Sequence, residues 1–189
     1  TEQNDLANGS DLTTSAAIEE ARWRHVVASV FPEVRDREGC FQALHEYFAR
    51  PSAWRCFDDV AATLQTLREC GRRLAIASNF DDRLHSICDG SPPLTLFEKR
   101  YVSSELGYRK PSAKFYLELI SDLGVMPERV LMVGDGLDND VLGALGVGMR
   151  AVLISREPFG DVTVDSKNPE TGSQFPVIHS LTELKGLLK

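Results

Sequence analysis

Four short, continuously apolar runs recur along the 189-residue chain, separated by stretches long enough for helices: Leu74-Ala75-Ile76-Ala77, Tyr101-Val102, Val130-Leu131-Met132-Val133 and residues 151–154. A strand that is apolar on both faces must be covered on both, and the intervening segments supply the cover. The pattern therefore predicts an α/β fold with a parallel sheet. Helices are expected over 58–70, 80–89, 113–123 and 139–146, with Gly71 and Gly124 ending two of them and Asp58 or Asp59 capping the first. Val177-Ile178 reads as a short edge strand, 155–176 as loop, and Leu181, Leu184, Leu187 and Leu188 as a closing amphipathic helix.

Before these runs the chain has a different character. Residues 1–14 are polar and read as a flexible lead-in. Ala16, Ala17, Ile18, Ala21, Val26, Val27 and Val30 then recur at helical spacing up to Pro32, and a second apolar helix is expected over 39–49. Pro51 to Phe57 breaks that pattern. The chain thus divides into a lead-in (1–14), a helical segment (15–55) and an α/β core (56–189).

Charge and composition narrow the function classes. A formal net charge of -7 leaves no basic stripe to neutralise a nucleic-acid backbone. No apolar run approaches the roughly 20 residues that span a bilayer, and the polar first residues lack a leader pattern. Cys40, Cys56, Cys70 and Cys88 form no C-x-x-C pair and read as reduced, mostly buried thiols of a cytoplasmic protein. His25, His45, His85 and His179 are scattered, without a Ser or Cys constellation for a hydrolytic triad.

Ligands of open parallel sheets bind beyond the carboxyl ends of the strands, so the residues following each run carry the functional reading. Ser78 and Asn79 follow the first run at a helix start, where a hydroxyl and an amide can hold a phosphate, although residues of this kind taken alone are more often helix caps. Lys110, in Arg109-Lys110-Pro111-Ser112, stands on a loop at the same edge. A cation there balances a carboxylate nucleophile and a transferring phosphoryl group, although a solvated surface lysine has the same local sequence.

The third site is the most informative. Val133-Gly134-Asp135-Gly136-Leu137-Asp138-Asn139-Asp140 puts three carboxylates beyond an apolar strand, and hard oxygen ligands of this kind suit Mg²⁺. Asp135 is placed for direct ligation, Asp140 for a metal-bound water or for orienting Lys110, and Asp138 for capping. The glycines flanking Asp135 suggest close approach of backbone to a ligand, and an acidic helix start satisfied by its dipole is the competing account. The spacing fits neither an EF-hand loop nor, at 143–148, a dinucleotide fingerprint.

Taken in order, Ala75-Ile76-Ala77-Ser78-Asn79, Arg109-Lys110-Pro111-Ser112 and the run 133–144 resemble the second, third and fourth signature motifs of the haloacid dehalogenase-like hydrolase superfamily. The likeness covers about 56–155, and 15–50 is similar to the helical cap that many members insert between the first and second motifs. The resemblance implies a Rossmann-like three-layer core with a small helical cap. Ser78 would bind phosphate, Asn79 assist substrate placement, Lys110 balance charge, and Asp135 with Asp140 organise Mg²⁺. It further implies a Mg²⁺-dependent phosphatase, acting on a small phosphate monoester through an aspartyl-phosphate.

The first motif, an apolar strand ending in D-x-[DVT]-[GT]-T, has no counterpart upstream of residue 15. Asp5 and Asp11 follow no strand. The nucleophile is therefore expected outside this chain, and the two strands that would flank the first core strand are expected to have unpaired edges. A catalytically inactive binding or regulatory domain and a dehalogenase of the 2-haloacid type are the alternatives. A receiver-like signalling domain does not account for the helical segment before residue 50.

Overall fold

The computed structural model describes residues 12–156, 167 and 174–188. Most of the stretch expected as lead-in (1–11), and much of that expected as loop within 155–176, lies outside the described residues.

The helical segment forms two helices, α1 (Ala16–Val30) and α2 (Arg37–Phe48). Ser15 accepts from the Ile18 N–H at the start of α1, and Asp36 accepts from the Gly39 N–H at the start of α2. Each satisfies an amide that a helix start leaves without an internal partner. Trp23 packs on Phe48, ring centroids 5.7 Å apart, and Arg24 pairs with Glu20 and Glu38 across the two helices.

The buried stripe of α1 differs from the one its apolar residues suggest. Ile18, Val26 and Val30 are exposed, whereas Glu19 and Val27 are buried, with Trp23 half-buried between them. Glu19, Trp23 and Val27 are spaced by four and share one face. That face, carboxylate included, is the one turned to the core.

From α3 (Val60–Glu69) onward, helix and strand alternate as expected: β1 (Ala75–Ser78), α4 (Arg83–Asp89), β2 (Lys99–Val102), α5 (Ser103–Leu106), α6 (Ala113–Leu123), β3 (Leu131–Gly134), a π-helical turn (Leu137–Leu142), α7 (Gly143–Gly146), β4 (Arg150–Ile154), β5 (Val177–Ile178) and α8 (Leu184–Leu187). All strand pairs are parallel. β4 shows both faces covered: Ala151 and Leu153 lie in a cluster with Phe115, Tyr116, Leu119 and Ile120 of α6, and Val152 lies in a second cluster with Ile178 and Leu184, with Leu67 of α3 packed against it. Helices on both sides of a parallel sheet make three layers.

The sheet is nevertheless in two parts. β1 pairs with β2, β3 with β4, and β4 with β5, so β1 and β3 each keep one edge without a strand partner among the described residues. Three residues of β1 and all of β3 are only half-buried, although both strands are apolar, while Val102 and Val152 are fully enclosed.

Asp59 departs from its expected role. It occupies the cap position of α3 without capping it. Its carboxylate instead accepts from Arg156 at 2.9 Å, from the Ser180 hydroxyl at 2.8 Å and from the Leu181 N–H at 2.7 Å, tying the start of α3 to the ends of β4 and β5. Burial disfavours its charged form, but these three bonds outweigh that and hold the carboxyl at about 2.

One further expectation is adjusted. Of the four thiols only Cys88 is buried, and burial pushes its pKa up; Cys70 is exposed. Among the described residues no helix is long and apolar enough to cross a membrane.

Candidate active site

The ends of β1 and β3 are joined by one side chain. Lys110, 9% exposed, donates from Nζ to the Ala77 carbonyl of β1 at 2.9 Å and to Asp140 Oδ1, beyond β3, at 2.5 Å. An ammonium has three N–H donors. The third has no partner among the described residues, so a cation is held rigidly with one donor left over.

Asn79 fixes the same residue through its main chain. Its Nδ2 donates to the Lys110 carbonyl at 3.0 Å and its Oδ1 accepts from the Lys110 N–H at 2.8 Å. Both ends of the amide are thereby engaged. Asn79 holds the Lys110 main chain, a contact beyond the substrate placement that the resemblance implies.

Asp140 is built in as firmly. Oδ1 takes the lysine and Oδ2 accepts from the Gly136 N–H at 3.0 Å. A Cβ on Gly134 would stand 2.3 Å from the Asp140 carboxyl carbon, so only glycine leaves room for the carboxylate. The close approach anticipated from the flanking glycines is thus made to Asp140 itself.

The π-helical turn explains why Asp138 and Asp140 part company. The Asp140 and Val141 N–H groups both reach the Gly136 carbonyl, at 2.8 and 3.2 Å, which widens the turn. Asp140 and Val141 face inward, while Asp138 is exposed and makes no capping bond. Beneath this turn the fully buried Tyr116 donates to the Asn139 carbonyl. Burial first, and the negative charge of Asp140 second, push its hydroxyl pKa well up.

Ser78 and Asp135 complete the set and behave differently from the anchored pair. Ser78, half-buried, ends β1, and Asp135, exposed, follows β3. Neither side chain has a hydrogen-bond partner among the described residues. The site thus pairs an anchored core (Lys110, Asp140, Asn79) with two uncommitted polar groups at its edge. A groove of about 380 Å³ lined by Pro111, Asp138, Leu142 and Gly143 lies nearby but includes none of these five residues.

A donor set of this kind can be tested against Mg²⁺. One lysine against two carboxylates leaves a formal charge that repels phosphate, and a hard divalent cation reverses it. Mg²⁺ takes one or two carboxylates and fills its remaining positions with water and substrate oxygens. Asp135 offers a free carboxylate, whereas both oxygens of Asp140 are engaged, which fits contact through water. No group of three or more metal-ligating side chains occurs among the described residues.

Sequence reasoning passed over two polar clusters that join the helical segment to this edge. Arg83, buried, pairs with Asp81 through Nε at 2.7 Å and Nη2 at 2.8 Å, donates to the His45 carbonyl of α2 and lies over the Trp23 ring of α1. Glu19, also buried, accepts from Thr14 at 2.6 Å and lies 3.6 Å from Arg109, the neighbour of Lys110. The spacing of Glu19 with Trp23 and Val27 was the available signal for the second.

A family model described as haloacid dehalogenase-like hydrolase matches residues 5–148. The haloacid dehalogenase-like hydrolase domain-containing protein 3 of Bos taurus is 31% identical over 172 residues, 88% of this chain and 65% of that protein. The glyceraldehyde 3-phosphate phosphatase of Methanopyrus kandleri is 36% identical over 122 residues, 64% of this chain and 52% of that protein. The chain spans under two thirds of the length of these relatives. Among solved structures, a dehalogenase with an intermediate complex shares the fold with a TM-score of 0.75 at 21% identity, covering 98% of this chain and 77% of that one. With motifs, fold and comparisons in agreement, the chain belongs to the haloacid dehalogenase-like hydrolases.

Proposed function

We propose that this chain is the charge-handling part of a Mg²⁺-dependent phosphatase acting on a small phosphate monoester, with an aspartate from outside this sequence as nucleophile. The observation that carries the reading is the Lys110 ammonium held between the end of β1 and Asp140, with one donor to spare. Relatives named as glyceraldehyde 3-phosphate phosphatases support the phosphate-ester class.

In this reading Ser78 donates to one phosphoryl oxygen and the third N–H of Lys110 to another, where negative charge accumulates during transfer. Asp135, assisted by Asp140, would hold Mg²⁺, which when bound offsets the negative charge of the site and of the phosphoryl group. Asp140 and Asn79 hold Lys110 in place, so the donor is aimed before substrate arrives and little reorganisation accompanies the reaction.

In the complete gene product, Asp135→Asn is expected to abolish Mg²⁺-stimulated release of phosphate from a generic monoester. Unchanged turnover would overturn the reading. Binding of inorganic phosphate without turnover would identify a binding module instead, and metal-independent halide release from a 2-haloacid would identify a dehalogenase.

A further inference from the structure

We infer that Glu19, on the first helix of the helical segment, is a positioning residue for Lys110. The functional weight of this inference rests on the phosphatase reading above; the positioning itself does not.

Glu19 is 5% exposed and lies in the core-facing stripe of α1 with Trp23 and Val27. A carboxylate so enclosed is retained only where donors replace its water. Its Oε1 accepts from the Thr14 hydroxyl at 2.6 Å and from Arg22 at 3.1 Å, and lies 3.6 Å from Arg109 Nε. Thr14 is itself buried.

The main chain repeats the connection. The Thr14 N–H donates to the Gly107 carbonyl at 2.9 Å, the Arg109 N–H donates to the Leu12 carbonyl at 2.8 Å, and Thr13 bridges Tyr108 in antiparallel fashion. Residues 12–14, expected as the end of a flexible lead-in, are therefore laid along 107–109. The next residue is Lys110.

Lys110 is consequently pinned from two sides. Asn79, Ala77 and Asp140 hold it from the core, and they fix where the ammonium sits. Thr14, just before the helical segment, and Glu19 within it hold the preceding residues, and they fix the path by which the chain arrives. Gly107, with φ near +81°, turns the chain between α5 and this paired stretch. If the second clamp opens, Arg109 loses the Glu19 carboxylate and the loop gains freedom one residue from the ammonium.

The test reads Lys110 directly. In the full chain, acetylation by an amine-reactive ester is followed by mass spectrometry, with the exposed Lys185 of the closing helix as internal reference. Acetylation of a buried amine requires local opening, so loss of a hydrogen bond to a charged group accelerates it about tenfold. Glu19→Gln is expected to give an increase of that size at Lys110, and Thr14→Val a smaller one, with Lys185 unchanged in both. An unchanged Lys110 rate in a cooperatively folding Glu19→Gln protein overturns the inference. If that variant does not fold, an unchanged rate in Thr14→Val overturns it equally. Inorganic phosphate with Mg²⁺ should slow Lys110 acetylation in the unsubstituted chain. Failure of that protection counts against the phosphate site and leaves the effect of Glu19 on the labelling rate standing.

Discussion

β1 and β3 are both four-residue apolar strands with a single paired edge, yet the two half-sheets are enclosed very differently. The β3–β4–β5 half has a large cluster on one face, centred on Phe115, Tyr116 and Val141, and a second on the other, centred on Val152 and Ile178. The β1–β2 half has Leu84, Cys88 and Val102, and reaches the large cluster through Tyr101. No backbone ladder joins the halves among the described residues. Lys110, spanning the two strand ends, is one polar connection between them, beside the Tyr101 hydroxyl and the Lys99 ammonium of β2 on Asp122 of α6.

That difference can be attacked where it is greatest. Phe115→Ala in the large cluster is expected to cost about 4 kcal/mol in urea denaturation, and Leu84→Ala in the small one about 2–3 kcal/mol. Equal costs, or the reverse order, would break the comparison.

The bridge comes next. Lys110→Met leaves Asp140 buried without its counter-charge, and breaking one partner of a buried pair costs about 3 kcal/mol. If the bridge holds the halves together, hydrogen exchange in β1 and β3 should accelerate more than in β4. Uniform acceleration would show that packing alone keeps the halves in register.

The smallest effect concerns Asp59, which fastens α3 to the well-covered half. Its carboxyl is held at about 2, below the ordinary value near 3.8. A depressed carboxyl contributes stability that is present above the unfolded pKa and disappears as pH falls through the folded one. About 2 kcal/mol should therefore be lost between pH 4 and pH 2, and Asp59→Asn should remove that part of the acid dependence, read from urea midpoints against pH. Identical acid profiles for the two proteins would show that Asp59 carries none of it.

Particular residues show how much was legible beforehand. The strands were readable because helices cover both faces of the sheet, which leaves an unbroken apolar run such as 151–154 of β4 that few other structures require. Ser78, Lys110 and Asp135 were readable because they directly follow or lie between such runs. Asp140 was half-readable: its partner Lys110 was named, but the π-helical turn that swings it inward, and Asp138 outward, leaves no mark in a sequence that otherwise reads as a helix start. In α1 the apolar count pointed to Ile18, Val26 and Val30, whereas the face with Glu19 is the one buried. A carboxylate counts against burial on any hydropathy scale. Its cost is cancelled by Thr14 and by arginines, one of them Arg109, ninety residues along the chain.

By itself, then, the sequence determined the layered α/β class, the order of its elements and the edge at which polar groups gather, because these follow from local periodicity and from which residues end each strand. Tertiary structure alone decided how Asp140 is swung onto Lys110, why Asn79 holds the lysine, and how the helical segment reaches the same loop. Those outcomes depend on contacts between distant residues, whose hydrogen bonds offset burial costs that no local pattern reveals.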